Sequence, residues 1–506
     1  MARPVAPSGR TPGRRGRAGE PGRDQLKRRW WWRKRWYVFL LLIAYAGVLL
    51  YHQYKPLPDG ISYASQEYRV DNVKFYRDLT HHENDIRHVD QEIFARLAQM
   101  IEEAEDFIVI DAFMMDGRVS DPSEDYPPIA DDLMRQLIDK QAANPDMPIV
   151  FISDAVNTGY GSYPADWLEP LKAAGIEVVI SNLHPLRDST PLYSTLWRMG
   201  LQWFGQEGTG WLENPFVDDG PRMTLRSYLK LFNIKANHRK VYMTERAALV
   251  ASANAHTESG FHENVAFEVS GPIIAEMLKA EQAVVDLGDS GVVLPTLETE
   301  ETANAASEGA LRIQYTTEGQ TLKNVLATLA RAGPGNELWL GMFYLADRQV
   351  VNAITAAANR GVKVSMVLDP NETAFGRKKT GLPNRPVVEE LEEDTDGAVR
   401  IRWYAVGIEQ YHPKMMMLKQ ETQSTLISGS TNFTTRNLAD YNLEAGLTIW
   451  GPPEAEVMRE VEAYFTTLWH NRGGAYTLDQ EEYQNVLSQG QRIIYAVQTY
   501  LNLTSY

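Results

Sequence analysis

The chain has no cysteine among its 506 residues. Disulfide bonds, thiolate metal sites and cysteine nucleophiles are therefore excluded. The absence of cysteine is compatible with either side of a bacterial membrane and does not indicate a compartment. With 44% hydrophobic residues, a chain of this length is too long for one small domain and can bury sizeable cores.

Positive charge is concentrated at the N-terminus, and the rest of the chain is short of it. Residues 1–36 hold twelve Lys or Arg against Glu20 and Asp24, a net charge of +10. Since the whole chain carries −16, the remaining residues carry −26. The backbones of DNA and RNA attract basic surfaces, so a body this acidic disfavours nucleic acid as a partner, although local basic patches can survive on it.

Only one long uncharged apolar run stands out, from Tyr37 to Tyr51. We predict a disordered basic tail at 1–35 and a transmembrane signal anchor at 36–54, because about 20 residues span a bilayer and the flanking Trp and Tyr suit its interfaces. A cleaved signal peptide would need a small-x-small site after the run, and a buried core helix would not follow a dense cationic cluster. The sequence thus predicts a single-pass protein of the bacterial inner membrane, with a cytoplasmic N-terminus and everything after Tyr54 outside the cytoplasm.

The rest of the chain repeats one pattern of strands and helices. Strands predicted at 107–113 and 338–344 are each followed by a helix and by a second strand, which ends in Asp154 or Asp369. Such alternation predicts mixed sheets flanked by helices. The predicted organisation is a first α/β domain at 68–285, a linker at 286–309, a second α/β domain at 310–470 and a C-terminal helical extension at 471–506.

Each copy also carries an insertion. Residues 181–237 of the first copy are rich in large apolar side chains: Leu192, Trp197, Trp203, Phe204, Trp211 and Phe216. They are compatible with a lid, with a lipid-contacting surface or with ordinary packing on the body, and the sequence leaves these alternatives open. The second insertion, Asn371–Pro386, is basic and contains Gly and Pro, which predicts a mobile loop near the mouth of a site.

The two copies share a short polar constellation. His238-x-Lys240 recurs as His412-x-Lys414, and each pair is followed by a Ser-x-Asn element. Side chains two residues apart in a strand lie on one face, so an imidazole and an ammonium group point to the same place. The Ser-x-Asn elements are Ser252-Ala253-Asn254 and Ser430-Thr431-Asn432. Duplication at matching positions indicates one bipartite active site for a phosphate ester.

Phosphodiester chemistry accounts for this choice of residues. Attack at phosphorus requires a nucleophile, a proton for the leaving oxygen and positive charge around the other oxygens. One imidazole can act as the nucleophile and the other as the acid, since imidazole titrates near neutral pH. The Lys residues supply charge, and the Ser and Asn residues orient oxygens or hold the Lys heads. No metal or other cofactor is required.

From Tyr68 to Trp469 the chain resembles the phospholipase D superfamily, which carries paired HxK(x4)D…GSxN motifs. The resemblance implies two duplicated α/β/α units with mixed sheets, packed about a pseudo-twofold axis so that the motifs meet. It also implies a phosphohistidine intermediate, with His238 as the favoured nucleophile and His412 as the acid, although the reverse assignment stays open. Glu444, which follows the second motif, is implied to support a catalytic His.

The chain departs from the family pattern at several positions. Glu245 and Lys419 occupy the places of the motif Asp, and Ala251 replaces the Gly before the first Ser. The segment His262-Glu263-Asn264 matches Asn442-Leu443-Glu444, so the Glu is not retained in the same place in the first copy. We expect these changes to affect geometry more than chemistry.

The sequence therefore predicts a membrane-anchored phospholipase D-like enzyme that cleaves or transfers the phosphatidyl group of glycerophospholipids. The alternatives are a nuclease of the same superfamily and an inactive scaffold that binds anionic lipid heads. The expected partners are a phospholipid substrate and the membrane, without nucleic acid, and the sequence does not indicate an oligomeric state. The predicted catalytic residues are His238, Lys240, Asn254, His412, Lys414 and Asn432, with Ser252, Ser430 and Glu444 in support.

Overall fold

The structure is a computed structural model, which describes residues 23–83, 86–206, 209–216, 220–297, 309–374, 377–483 and 488–501. It divides into two compact units, Met1–Tyr51 and His52–Tyr506. Residues 1–22 of the predicted tail and residues 298–308 of the predicted linker lie outside the described residues.

The first unit contains most of one long helix, α1 (Arg23–Tyr54), which begins inside the predicted basic tail. Its part from Trp30 to Tyr54 is long and apolar enough to cross a membrane. The apolar side chains from Trp36 to Ile43 are more than half exposed, as expected for a helix that faces lipid. A membrane anchor at this position is therefore compatible with the structure, and the side of the membrane on which the body lies stays a prediction.

The second unit contains the strands of two large mixed sheets and two short two-stranded ladders. In chain order they are β1 (Tyr68–Val70), β2 (Lys74–Glu83), β3 (Ile86–Gln91), β4 (Ile108–Ala112), β5 (Met115–Asp116), β6 (Ile149–Ser153), β7 (Glu177–Ile180), β8 (Lys240–Thr244), β9 (Ala248–Ala251), β10 (Ala255–His256), β11 (Asn264–Val269), β12 (Leu311–Thr317), β13 (Glu337–Met342), β14 (Lys363–Leu368), β15 (Thr373–Ala374), β16 (Arg377–Lys378), β17 (Val399–Tyr404), β18 (Lys414–Lys419), β19 (Ser424–Gly429), β20 (Ala445–Gly451) and β21 (Thr477–Asp479).

The two large sheets share a run of corresponding strands, from β2 to β7 in the first and from β12 to β17 in the second, and differ at their edges. Within the described residues the first has the order β3-β2-β11-β9-β8-β4-β6-β7, and the second has the order β1-β12-β20-β19-β18-β13-β14-β17-β21. In both sheets a central antiparallel pair, β8 with β4 or β18 with β13, is continued by parallel strands. The predicted fold class, a duplicated α/β architecture with mixed sheets, is confirmed.

Helices cover the outer face of each sheet, and the inner faces share one core. In chain order the helices after α1 are α2 (Ile93–Glu103), α3 (Ile129–Ala143), α4 (Leu168–Ala173), α5 (Pro191–Met199), α6 (Leu225–Leu231), α7 (Ile273–Val285), α8 (Gly319–Arg331), α9 (Arg348–Asn359), α10 (Asn384–Asp394), α11 (Thr435–Leu438), α12 (Glu456–Trp469) and α13 (Gln489–Leu501). Strand alternation decides the side: Val109 joins the core between the sheets, whereas Ile110 packs against α2 and α3. In the second sheet Met415 faces the shared core and Met416 faces α8 and α9.

A buried ion network crosses this shared core. Arg239 stands between His238 and Lys240, so alternation directs its side chain away from theirs and into the core. Its guanidinium contacts Glu281 of α7 at 3.1 Å and Glu318, which precedes α8, at 2.7 Å, and all three side chains are buried. A buried cation requires such partners because its loss of hydration is otherwise uncompensated. The network thus joins residues of both copies.

We expect Arg239→Met to lower the free energy of unfolding by about 3–5 kcal/mol, because it leaves Glu281 and Glu318 buried without their cation. Urea unfolding of the detergent-solubilised protein, followed by near-UV circular dichroism, measures the change. The control is Arg135→Met, which removes an exposed ion pair with Asp132 and should change the unfolding midpoint little. Equal effects of the two substitutions would contradict the role given to the network.

Candidate active site

The two His-x-Lys pairs lie at equivalent ends of β8 and β18. Lys240 and Lys414 are the first residues of these strands, and their ammonium groups donate hydrogen bonds to the carbonyl oxygens of His238 and His412, at 2.9 and 2.6 Å. Burial lowers the pKa of Lys240 to about 7. The pKa of Lys414 is also well below its ordinary value, first because of burial and then because of the nearby Lys240 charge.

Each histidine is held by the backbone of the other copy. The N–H of His238 donates to the carbonyl of Leu443 at 2.8 Å, and the N–H of His412 donates to the carbonyl of Glu263 at 3.0 Å. These bonds cross from the end of one sheet to the end of the other. The structure therefore brings the two His-x-Lys pairs to one place, and neither copy forms the arrangement alone.

A cavity of about 440 Å³ opens at this meeting point. Four of the sequence-predicted residues line it: His238, Asn254, His412 and Asn432. The ring of Phe113 lies 5.1 Å from that of His238, and the ring of Phe343 lies 5.0 Å from that of His412. The two Lys ammonium groups lie over the same phenylalanine rings, at 5.3 and 5.4 Å from the ring centres.

The ring nitrogens of the two histidines have matching but chemically different partners. Nδ1 of His238 lies 3.1 Å from Oε2 of Glu444, and Nδ1 of His412 lies 3.1 Å from Oδ1 of Asn264. Since both partners are oxygen acceptors, Nδ1 carries the proton in each neutral ring, and Nε2 is left with its lone pair. One histidine thus faces a carboxylate and the other a neutral amide.

Burial dominates the titration of both histidines. It lowers the pKa of His238 to about 4, while the Glu444 carboxylate acts in the opposite direction. Burial, followed by the charges of Lys414 and Lys240, places the pKa of His412 well below its ordinary value. Both imidazoles are therefore neutral at pH 7 in the absence of a ligand. An anion bound between them would raise both pKa values.

The Ser-x-Asn elements divide into a bracing residue and a residue that faces the cavity. The Ser430 hydroxyl donates to Glu444 and accepts the N–H of Ala445, while Ser252 donates to Asn264 in the same way. The Oδ1 atoms of Asn254 and Asn432 have no hydrogen-bond partner among the described residues. The serines thus position the partners of the histidines, and the asparagines offer polar groups to a ligand.

Residues 325–469 match the family model described as "Cardiolipin synthase, PLD-like domain". The resemblance to the phospholipase D superfamily is confirmed. In fold the chain is similar to the phosphatidylserine synthase of Haemophilus influenzae Rd KW20, with a TM-score of 0.54 at 11% identity over 81% of this chain and 90% of that one. It also matches the phospholipase D family member Nuc from Salmonella typhimurium, with a TM-score of 0.27 at 18% identity over 33% of this chain and 97% of that one. No curated protein sequence matches the chain.

Two of the departures from the phospholipase D pattern, Glu245 and Lys419, lie outside the cavity. Glu245 accepts the backbone N–H groups of Glu105 and Asp106, at 3.0 and 3.2 Å, and so braces the loop before β4. Lys419 forms an ion pair with Glu462 of α12. These two positions support the scaffold and do not line the cavity.

The Asp residues that end β6 and β14 hold the chain that carries the histidines. Asp154 accepts the N–H of Asn237 at 2.8 Å, and Asp369 accepts the N–H of Tyr411 at 2.8 Å. Both also accept an N–H two residues further along the chain, as a turn-capping Asp does. Burial raises the pKa of Asp154 to about 6 and that of Asp369 to about 7. Each Asp therefore both caps its own turn and holds the chain just before a histidine.

Two further histidines line the cavity, and the sequence did not single them out. His256 and His262 lie on the His412 side, where the rings of His262 and His412 are 6.2 Å apart. Nδ1 of His262 accepts the N–H of Gln410 at 3.2 Å, just as Asn442 accepts the N–H of Ala236 at 3.0 Å in the other copy. This contact places the ring proton of neutral His262 on Nε2. Alignment of the two copies already places His262 opposite Asn442, but the sequence alone does not show that both residues accept a backbone N–H from the opposite copy.

Both insertions contribute to the wall of the cavity. The first supplies Phe216, Leu231, Phe232 and Ile234, and the second supplies Lys379, Thr380 and Leu382. The second insertion thus lies next to the cavity, as the sequence predicted. Among the described residues no group of three or more His, Asp or Glu side chains is arranged to hold a metal ion.

We expect Asn264→Asp to raise the pKa of His412, because it places a carboxylate against Nδ1 where the amide now lies. Histidine-selective ¹³C and ¹⁵N NMR titration can follow it, since the chain has 10 histidines. Glu444→Gln is the matched substitution and should lower the pKa of His238 further. An unchanged His412 titration in Asn264→Asp would contradict the proposed contact.

Proposed function

We propose that the chain is a phospholipase D-like enzyme that cleaves or transfers the phosphatidyl group of glycerophospholipids through a phosphohistidine. One observation carries this proposal: two histidines from different copies share one cavity, and each has its Nδ1 fixed by an oxygen of the opposite copy. Both Nε2 lone pairs are thereby left for chemistry. The match to a cardiolipin synthase model and the fold shared with a phosphatidylserine synthase support a lipid phosphodiester as the substrate.

The different partners of the histidines assign their roles. Attack by Nε2 of His238 on phosphorus creates positive charge on the ring, which the Glu444 carboxylate at Nδ1 stabilises. His412 has only the Asn264 amide at the same place, so its imidazolium is less stabilised and gives up a proton more readily. We therefore assign His238 as the nucleophile and His412 as the acid.

The reaction then proceeds in two steps. In the first, a bond forms between His238 Nε2 and phosphorus, the bond from phosphorus to the leaving oxygen breaks, and protonated His412 transfers its Nε2 proton to that oxygen. In the second, neutral His412 accepts a proton from water or an alcohol, whose oxygen attacks phosphorus as the phosphorus–nitrogen bond breaks. The negative phosphate raises the pKa of His412 on binding, which supplies the acid form at the start.

The charge and shape of the cavity suit a lipid phosphate. Lys240 and Lys414 lie directly behind the histidines, and a bound phosphate favours their charged forms. Phe113, Phe232 and Phe343 provide apolar surface next to these polar groups. Apolar walls with a few convergent polar groups are typical of sites for amphiphilic ligands. The strongly acidic body adds an argument against a nucleic-acid substrate.

We expect purified protein to release head group from labelled phospholipids, or to transfer the phosphatidyl group to glycerol or phosphatidylglycerol. His238→Ala and His412→Ala should each reduce turnover about 10³-fold or more, because each removes a group that acts on the reacting atoms. The control is Lys419→Gln, which alters a motif position outside the cavity. Its turnover should stay within a few-fold of that of the unmodified protein. Cleavage of single-stranded DNA without lipid turnover would overturn the proposal in favour of a nuclease, and turnover of neither would favour a lipid-binding scaffold.

A phosphodiester with a 4-nitrophenolate leaving group tests the two assigned roles. This leaving group departs without a proton, so His412→Ala should still release one equivalent of nitrophenolate in a burst. The phosphoryl group should then stay on His238, where mass spectrometry of the intact, alkali-quenched protein detects it. His238→Ala should give no burst. The opposite pattern would reverse the assignment of nucleophile and acid.

A further inference from the structure

An exposed aromatic surface lies on the first insertion. Trp203, Phe204 and Trp211 are 68%, 71% and 62% exposed, and Leu196 and Phe232 add to the same segment. Trp197, by contrast, is buried, so packing on the body accounts for one of these aromatics and not for the others. Exposed aromatics concentrated in one segment mark a surface that binds a partner. We call the exposed side chains of Leu196, Trp203, Phe204, Trp211 and Phe232 the aromatic surface.

The aromatic surface is held in place by a buried ion cluster. Asp188, which precedes α5, contacts Arg198 at 2.7 Å and Lys235 at 2.7 Å, and all three side chains are nearly inaccessible. The hydroxyl of Tyr193 donates to the carbonyl of Leu229 at 2.6 Å and joins α5 to α6. The exposed aromatics therefore project from a braced support, so their exposure is a built feature of the fold.

The residues at the end of the predicted membrane span form hydrogen bonds with the start of the first insertion. The carbonyl of His52 accepts the N–H of Asp188 at 3.1 Å, and the carbonyl of Lys55 accepts Nε of Arg187 at 2.9 Å. The candidate span ends at Tyr54. A chain that leaves the bilayer at this point thus leads within a few residues to the insertion that carries the aromatic surface.

The same segment also reaches the cavity. Phe232 is 44% exposed and at the same time lines the cavity, next to Leu231 and Ile234. Phe232 thus belongs both to the aromatic surface and to the wall of the site. Trp and Phe side chains are favoured at the boundary between lipid head groups and acyl chains.

We propose that the aromatic surface inserts into the interface of the bilayer and passes phospholipid from there to the cavity. The second half of this statement rests on the proposed function, whereas the insertion itself does not. The partner is a lipid bilayer, because the insertion that carries these aromatics is hydrogen-bonded to His52 and Lys55, where the candidate span ends, and because the aromatics have the composition of an interfacial anchor.

The absence of cysteine allows a direct test on the full-length chain. Phe204→Cys and Trp211→Cys, each spin-labelled and reconstituted in nanodiscs of phosphatidylcholine and phosphatidylglycerol, report local polarity by electron paramagnetic resonance. Labels at both positions should collide with oxygen more readily than with a water-soluble nickel chelate. The matched control is Ala356→Cys on the exposed face of α9, whose label should prefer the nickel chelate. Labels at 204 and 211 that behave like the label at 356 would overturn the proposal.

Turnover supplies the second test. The triple variant Trp203→Ser, Phe204→Ser, Trp211→Ser should turn over bilayer phospholipid about tenfold more slowly, because it loses its hold on the interface. Turnover of a soluble short-chain phospholipid should stay within about twofold, since no catalytic group is changed. An equal loss of turnover on both substrates, or no loss on either, would overturn the proposal that lipid passes along this surface. The label experiment does not depend on turnover. If the unmodified protein turned over no phospholipid, the proposed function would be wrong, and the labels would still decide whether the aromatic surface inserts into the membrane.

Discussion

The structure depends on one buried cation at the centre of the shared core. Arg239 joins Glu281 of the first copy to Glu318 of the second, and Glu318 also accepts the backbone N–H of Glu444 at 3.0 Å. Glu444 in turn contacts the ring of His238. The group that balances charge inside the core therefore also sets the position of the carboxylate that contacts His238. Stability and the geometry of the site share the same contacts, so a change in the core alters both.

The two copies provide the same scaffold with different chemical groups at equivalent places. Each copy uses a strand-end Asp to hold the chain before a histidine, and each uses a Ser to hold the partner of the other histidine. At the partner position one copy has Glu444 and the other has Asn264. The two imidazoles thus have matching geometry but different electrostatic partners, a carboxylate for His238 and a neutral amide for His412. This difference is what the proposed division of roles depends on.

Local features were predictable from the sequence, and contacts between distant segments were not. The strands and the His-x-Lys pairs depend on alternation and apolar runs, which a few neighbouring residues reveal. The roles of Asn264 and His262 depend on contacts with residues more than a hundred positions away. The burial of Arg239 likewise requires Glu318, which belongs to the other copy. The local sequence likewise does not predict that Trp203 is exposed while Trp197 is buried, because burial depends on packing against distant segments.

The backbone bonds that cross between the copies have a consequence for the order of events during synthesis. His238 and Glu444 lie 206 residues apart, so the ribosome makes His238 long before its carboxylate partner. Until the strand after Glu444 has formed and docked, the N–H of His238 lacks the carbonyl of Leu443 and its ring lacks a fixed orientation. The first copy alone thus lacks the contacts that orient His238. The two histidines are brought together only when most of the chain has been made and folded.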